Sequence, residues 1–361
     1  MWRRLWPVGL LVFVALFWVP PPDATAAAPP RVRLVTTGGT ISNRPGGSRL
    51  TADELVALVP DLSDVAEVET EEFANIPSSA LTLDQWLRLA RRLNQAFAED
   101  GQLAGIVVTS GTDTLEELAY FLHLTVRTDR PVVVVGAMRR PGTLGYDGAV
   151  NLRHAFQVAG APASRGRGTL VVFNGDINSA RDVTKTDANN LYTFESRRYG
   201  ILGSAAGGRV IYYRRPEQRH SANTEFDLTR VTRLPRVDIV MSYQGASGDL
   251  VRAATDLGAD GLVIAGAGAG GVSAGQRDAM AYALERGVAV VMTTRTGRGR
   301  IAPRSTGSTD QEPADDGDTR PSEYRGISGE DLAPVKARVL LMLALSTTSD
   351  RDELQRMFTE Y

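Results

Sequence analysis

Three short stretches hold the side chains whose types and spacing could do chemistry. The first is Thr36-Thr37-Gly38-Gly39-Thr40-Ile41, where a hydroxyl follows two adjacent glycines at the end of an apolar run. Glycine lacks the Cβ that would block a sharp turn or a close approach to a ligand, and open α/β sheets place their sites at strand ends. The second is Ser110-Gly111-Thr112-Asp113-Thr114, which repeats the strand–glycine–threonine form and adds a carboxylate. The third is Val183-Thr184-Lys185-Thr186-Asp187, which sets a lysine among hydroxyls. Lysines are few in this arginine-rich chain, so Lys185 and Lys336 stand out. A lysine beside a threonine lowers the cost of deprotonating the hydroxyl, and a carboxylate can hold that lysine in place. The expectation is that the two glycine loops face each other across one pocket and that Lys185 pairs with Asp113.

Each stretch also has a plainer reading. Gly38-Gly39-Thr40 alone is a tight turn; it is neither a dinucleotide fingerprint nor a P-loop, because neither pattern continues after it. Asp113 with Glu116, or Thr114 with Glu117, fits a helix capping box. A single lysine is most often a solvated surface residue. Arg139, after another apolar strand, reads as a structural partner for a carboxylate. Gly266-Ala267-Gly268-Ala269-Gly270-Gly271 reads as a flexible turn. None of these explains why glycine, threonine and aspartate crowd onto one loop of a buried strand.

The elements that must position these residues follow from periodicity. Apolar runs at 32–35, 105–108, 131–135 and 170–173 read as strands, and the more polar 65–73 segment is a candidate for another. Helices are expected from a capping box at Thr51 to near Pro60, over 82–97, where Leu83, Trp86, Leu87, Ala90 and Leu93 recur at three- and four-residue steps, and over 114–126. Near-continuous apolar strands alternating with helices imply a mainly parallel sheet covered on both faces. The polar 216–236 stretch reads as a linker. Strands at 237–241, 261–264 and 289–292, with helices at 248–257 and 273–286, form a smaller βαβαβ unit. Residues 306–324 read as a long surface loop, and 333–345 and 350–358 as closing helices. The fold class is α/β: a larger N-terminal α/β domain over 31–215 carrying the site, and a smaller one over 237–361.

Composition narrows the function. The chain has 361 residues, 43% hydrophobic and 23% charged, enough for a sizeable core. A net charge of −2 is too balanced for an electrostatic nucleic-acid binder. The absence of cysteine excludes disulfides, thiolate metal sites and cysteine nucleophiles. The three histidines, His123, His154 and His220, lack the spacing of a helical metal site, so no metal is expected. His123 falls inside a helical apolar pattern and reads as a packed residue. Residues 1–28 have the form of a signal peptide: Arg3 and Arg4, an apolar stretch from Leu10 to Val19, then prolines and small residues. That stretch is shorter than the ~20 residues a bilayer span needs. A secreted or periplasmic protein, with no stable membrane span after processing, is expected.

Taken together, the motifs resemble those of the bacterial-type L-asparaginase family, particularly its secreted type II branch. The matching pieces are TTGGTI (36–41), ANIPS (74–78), SGTDTLEE (110–117), VVVVGAMR (132–139), DG with NL (147–152), DVTKT (182–186), RYG (198–200), RTG with GR (295–300) and PVKARVLL (334–341). They occur in family order and span nearly the whole mature chain. The resemblance implies two α/β domains, a homotetramer built as a dimer of dimers, and hydrolysis of L-asparagine without a metal or organic cofactor. It implies Thr40 as the nucleophile, Thr112 as a second catalytic threonine, Asp113 and Lys185 as supporting charges, and Ser78 as a contact for the substrate carboxylate. Backbone N–H groups at Gly39 or Gly111 are candidate oxyanion donors.

The chain departs from the family pattern where substrate would be gripped. The loop after Ile41 is short, Asn43 to Leu50, and lacks the tyrosine usual there. Ser79 stands where a glutamine is usual, and Ala269 where an asparagine is lent across a subunit interface. Glu312 is the candidate for a family glutamate. The implied activity is therefore asparagine hydrolysis with altered substrate grip. The alternatives are a glutaminase-asparaginase or other small-amide amidohydrolase and, in another class, a non-catalytic amino-acid-binding homologue.

Overall fold

The computed structural model describes residues 28–303 and 326–361. The leader, the 306–324 loop and Glu312 lie outside the described residues.

Strands and helices alternate through the first half: β1 (Arg31–Thr36), α1 (Ala52–Ala57), β2 (Glu67–Glu72), α2 (Leu83–Glu99), β3 (Leu103–Thr109), α3 (Leu115–Thr125), β4 (Val132–Val135), α4 (Gly148–Gly160) and β5 (Thr169–Phe173). Strands β2-β1-β3-β4-β5 pair in parallel in that spatial order. Alternation then stops, although the α/β domain expected from the sequence runs on to residue 215. The chain runs through β6 (Asp176–Ser179), β7 (Thr184–Lys185), β8 (Phe194–Glu195), β9 (Gly203–Ala206) and β10 (Arg209–Tyr212). Of these, β6, β9 and β10 extend the large sheet antiparallel. The reason is turn chemistry: Asn174-Gly175 and Gly207-Gly208 all take positive φ, which makes two-residue hairpins of the chain at these points.

Side chains alternate across the parallel strands and feed two apolar layers. Leu34, Val107, Val133 and Val172 point to a cluster with Leu55 of α1 and Phe156 of α4. Val35, Val108, Val134 and Val171 point the other way, to Leu93 of α2 and Leu118 of α3. Burying each such side chain is worth about 1.5–3 kcal/mol, so the register is strongly fixed.

The second sheet contains β11 (Val237–Met241), β12 (Gly261–Gly266), β13 (Ala289–Thr294) and β14 (Ile327–Ser328), all parallel. Helices α5 (Asp249–Asp256) and α6 (Ala274–Glu285) cover one face, and α7 (Pro334–Leu345) the other, with α8 (Arg351–Glu360) packed on α7. The expected βαβαβ unit is thus present and gains a fourth strand. Helix α7 is buried on nearly all sides, because it also packs on α3 of the larger unit. One continuous apolar cluster therefore crosses from sheet to sheet, through Leu340, Val263 and Val291. The 216–236 stretch is not loose: Phe226, Leu228 and Leu234 are buried in that same cluster.

Candidate active site

Sheet order places the two glycine loops side by side. β1 lies between β2 and β3, so the chain leaves β1 to one side and β3 to the other; such a switch point opens a crevice at the strand ends. Thr36 pairs with Thr109, so both loops begin at the same level. Thr37 joins them: its hydroxyl donates to the Thr109 carbonyl at 2.7 Å and its N–H to the Thr109 hydroxyl at 3.2 Å. Two glycines are required by contact. A Cβ on Gly39, where φ is +94°, would lie 2.3 Å from the Gly111 nitrogen. A Cβ on Gly38 would lie 2.4 Å from the Ile76 nitrogen, in the 74–78 segment. Loops one, two and the 74–78 segment are therefore in backbone contact.

Thr40 opens a short 3-10 turn, Thr40–Ser42, and is half-buried. Ser42 and Asn75 brace the turn: the Ser42 hydroxyl donates to the Gly39 carbonyl at 3.1 Å, and Asn75 donates to the Leu50 carbonyl at 3.0 Å. Ser78 is buried directly against Gly111, where an added Cβ would lie 2.8 Å from the serine hydroxyl. Its neighbour Ser79 is exposed.

The lysine of the third stretch reaches the second loop. Lys185 Nζ donates to Thr112 Oγ1 at 3.0 Å and to Asp113 Oδ1 at 2.8 Å. The Lys185 side chain is 15% exposed and that of Asp113 76%, while Thr112 is 6% exposed. Ammonium, hydroxyl and carboxylate thus form a chain running from the buried loop to solvent. Thr40 is placed next to it by the Gly39–Gly111 backbone contact; among the described residues no hydrogen bond links Lys185 to the Thr40 hydroxyl.

For several residues that serve this arrangement the sequence did not show the role. The capping box suggested for α3 is absent, since Thr114 caps without its side chain. Glu116 turns instead toward β7, where it accepts from the Thr184 hydroxyl at 2.9 Å and the Lys185 N–H at 3.2 Å. Lys336 is fully buried on α7 and donates to the carbonyls of Arg181 and Val183. Burial pulls its pKa down to about 8, against the supporting charge of Glu116. Tyr146, from the loop after β4, donates to the Ile41 carbonyl at 2.9 Å, and burial raises its pKa. Arg139 meets a carboxylate through its backbone rather than its guanidinium: the Met138 and Arg139 N–H groups both donate to Asp147 at 2.9 Å.

The divergent loops adopt compact forms. Asn43 and Arg49 bridge antiparallel, and Arg44 N–H donates to the Ser48 carbonyl at 2.8 Å, so the 43–50 loop folds on itself. Ala269 is exposed in a small hairpin closed by Ala267 and Gly271. His123 is in the core, where it accepts from the Thr169 N–H at 3.1 Å and packs on His220. Burial holds it well below the usual histidine range. Among the described residues no group of three or more His, Cys, Asp or Glu could hold a metal ion.

A doubly wound sheet with a hydroxyl–lysine–carboxylate chain at its switch point defines an α/β fold whose candidate site is built from the loops at its strand ends. The family follows from comparison. Residues 31–218 match the family model "Asparaginase, N-terminal", and residues 236–358 match "Glutaminase/Asparaginase C-terminal domain". The chain is 40% identical to L-asparaginase 2 of Bacillus subtilis, over 92% of this chain and 87% of the relative. It is 39% identical to L-asparaginase 2 of Escherichia coli, over 94% and 95%. A solved structure titled as a probable cytoplasmic L-asparaginase from Campylobacter jejuni superposes with a TM-score of 0.84 at 39% identity, covering 92% of this chain and 100% of that one. This chain belongs to the bacterial asparaginase family.

Proposed function

We propose that this protein hydrolyses L-asparagine to L-aspartate and ammonia through a threonine nucleophile. The observation that carries the reading is the double reach of Lys185, to Thr112 at 3.0 Å and to Asp113 at 2.8 Å. Thr40 Oγ attacks the side-chain amide carbon and its proton passes by way of Thr112 and Lys185. The carbonyl oxygen becomes an oxyanion facing the backbone N–H groups of the Gly39 and Gly111 loops. The C–N bond then breaks, and the nitrogen leaves as ammonia with the transferred proton. Water adds to the resulting threonine ester, one of its protons passes to Thr40 Oγ as the C–O bond to Thr40 breaks, and aspartate departs with the hydroxyl restored. Asp113 and Ser78 hold the substrate's ammonium and carboxylate.

The substrate grip is weaker than the family pattern implies. Ser79 and Ala269 stand where longer amides are usual, and the folded-back 43–50 loop carries no tyrosine. Each missing contact is worth on the order of 1–3 kcal/mol, so a raised KM for asparagine is expected. The assay is ammonia release from purified protein given L-asparagine, L-glutamine or D-asparagine. Turnover of L-asparagine that is lost in Thr40→Ala is the expected result. Faster turnover of glutamine would favour a glutaminase-asparaginase, and no turnover of any amide a binding homologue. A low KM for asparagine would reject the weakened grip.

We further propose export to a secreted or periplasmic location, from the form of residues 1–28, and assembly as a homotetramer, from the family resemblance. Fractionation with N-terminal sequencing checks the first. Light scattering checks the second, and a monomeric active enzyme would refute it.

A further inference from the structure

We propose that Glu116 and Lys336 form a buried positioning pair that sets Lys185 against Thr112, and so controls turnover without touching substrate. The inference rests on the amidohydrolase reading above and adds a residue pair from two different helices to it.

The strand that carries Lys185 cannot place the side chain unaided. β7 is two residues long and pairs with a two-residue partner, outside both large sheets. A ladder that short leaves the backbone height of Lys185 undetermined. Four groups near it are instead fixed from beneath. Glu116 Oε1 accepts from Thr184 Oγ1 at 2.9 Å and from the Lys185 N–H at 3.2 Å. Lys336 Nζ donates to the Arg181 carbonyl at 2.8 Å and to the Val183 carbonyl. Four of the five residues from 181 to 185 are thereby tied down by two side chains that face each other across 3.9 Å. Glu116 is 9% and Lys336 1% exposed. The second glutamate oxygen, Oε2, is buried and makes no hydrogen bond to the protein; it faces the Lys336 ammonium, with the Arg197 charge also near it.

The pair also joins elements that move the site as one piece. Glu116 lies in the first turn of the helix that follows Thr112 and Asp113, so one helix carries the threonine loop and the anchor of the lysine strand. Lys336 lies in the first turn of α7, which packs on the smaller sheet. A shift of the second domain is therefore transmitted to the distance between Lys185 Nζ and Thr112 Oγ1. A displacement of about 1 Å at a proton-transfer contact can cost about a hundredfold in rate.

A purely structural pair and a positioning pair make different predictions. The variants are Lys336→Met, which removes the charge at similar length, and Thr184→Val, which deletes one bond to Glu116 at a half-buried site. Ammonia release gives kcat and KM, L-aspartate titration gives a dissociation constant, and a melt gives stability. The expected result for Lys336→Met is a kcat lower by about tenfold or more, with KM and the aspartate constant within about twofold. Thr184→Val loses about threefold in kcat, again with KM unchanged, and melts close to wild type. A kcat within about twofold of wild type in Thr184→Val, with only stability lowered in Lys336→Met, overturns the proposal. So does a loss seen in KM and aspartate binding instead of kcat. If Lys336→Met does not fold, Thr184→Val alone decides. A wild-type protein that releases no ammonia rejects the amidohydrolase reading and takes this inference with it; an active wild type with an unaffected Thr184→Val rejects this inference alone.

Discussion

Thr112→Val separates catalysis from folding at one atom. Valine has the shape of threonine, so the buried site gains neither cavity nor clash. What disappears is the acceptor for Lys185 Nζ at 3.0 Å. A hydrogen bond to a charged group is worth about 1.5–3 kcal/mol net. Lys185 keeps Asp113 at 2.8 Å and is 15% exposed, so water can replace part of the loss. The stability cost is then about 1 kcal/mol, a shift in Tm of about 1–2 °C for a chain of this size. The kinetic cost is larger, because a positioned proton carrier contributes about 10²–10⁴ in rate. That corresponds to about 3–5 kcal/mol in the barrier. Ammonia release in steady state, with a parallel thermal melt, measures both. A folded variant with kcat within about tenfold of wild type would refute the role given to Thr112.

Three further outcomes follow from the geometry. Gly39→Ala places a Cβ 2.3 Å from the Gly111 nitrogen at φ +94° and is expected to cut activity by roughly a hundredfold, whereas Gly46→Ala, at φ +88° with nothing within 4 Å, costs only backbone strain and stays active; equal activity in the two would refute the loop contact. Lys336 titrates near 8 when folded and near 10.5 when unfolded, because burial opposes its charge despite Glu116 and Asp182 and with Arg197 and Arg181 opposing it too. The unfolded chain binds more protons in that window, so this group makes stability rise with pH from about 8 to 10.5, by about 3 kcal/mol, relative to Lys336→Met in denaturant titrations; parallel pH curves for the two proteins would refute it. Asp331 is pushed up by burial but pulled lower still, to about 2, by Arg181 at 2.8 and 3.1 Å and by the Tyr199 hydroxyl. Its contribution, about 2 kcal/mol, is present above pH 3.8 and lost as pH falls toward 2, so Asp331→Asn should show a flatter acid limb in urea melts.

Much of the large sheet was legible because a buried parallel strand must be apolar on both faces and a surface helix on one. The runs at 32–35, 105–108, 131–135 and 170–173 carry that signal directly, as do the three- and four-residue steps from Leu83 to Leu93. The antiparallel extension was not legible in the same way. Its strands are short, and the cue lies in the turn pairs Asn174-Gly175 and Gly207-Gly208. Helix α4 was hidden for a related reason: its start, Asp147-Gly148, resembles a loop, and Asp147 accepts from Met138 and Arg139 instead of capping the helix.

By itself, the sequence determined which residue types stand at the ends of which strands, because glycine, threonine, aspartate and a scarce lysine cannot hide in a composition otherwise built for a core. It could bring Thr40, Thr112 and Lys185 to mind together but could not say which of them meet. Lys185 reaches Thr112 directly, whereas Thr40 is set beside them by strand order: β1 between β2 and β3 sets the two glycine loops at one level, and contact between Gly39 and Gly111 is a property of backbone, not of side-chain type. The sequence marked Lys336 as one of its scarce lysines but not what it supports. Glu116 and Lys336 are 220 positions apart and become a pair only because α3 and α7 pack together, where the low dielectric of a shared core makes each charge need the other.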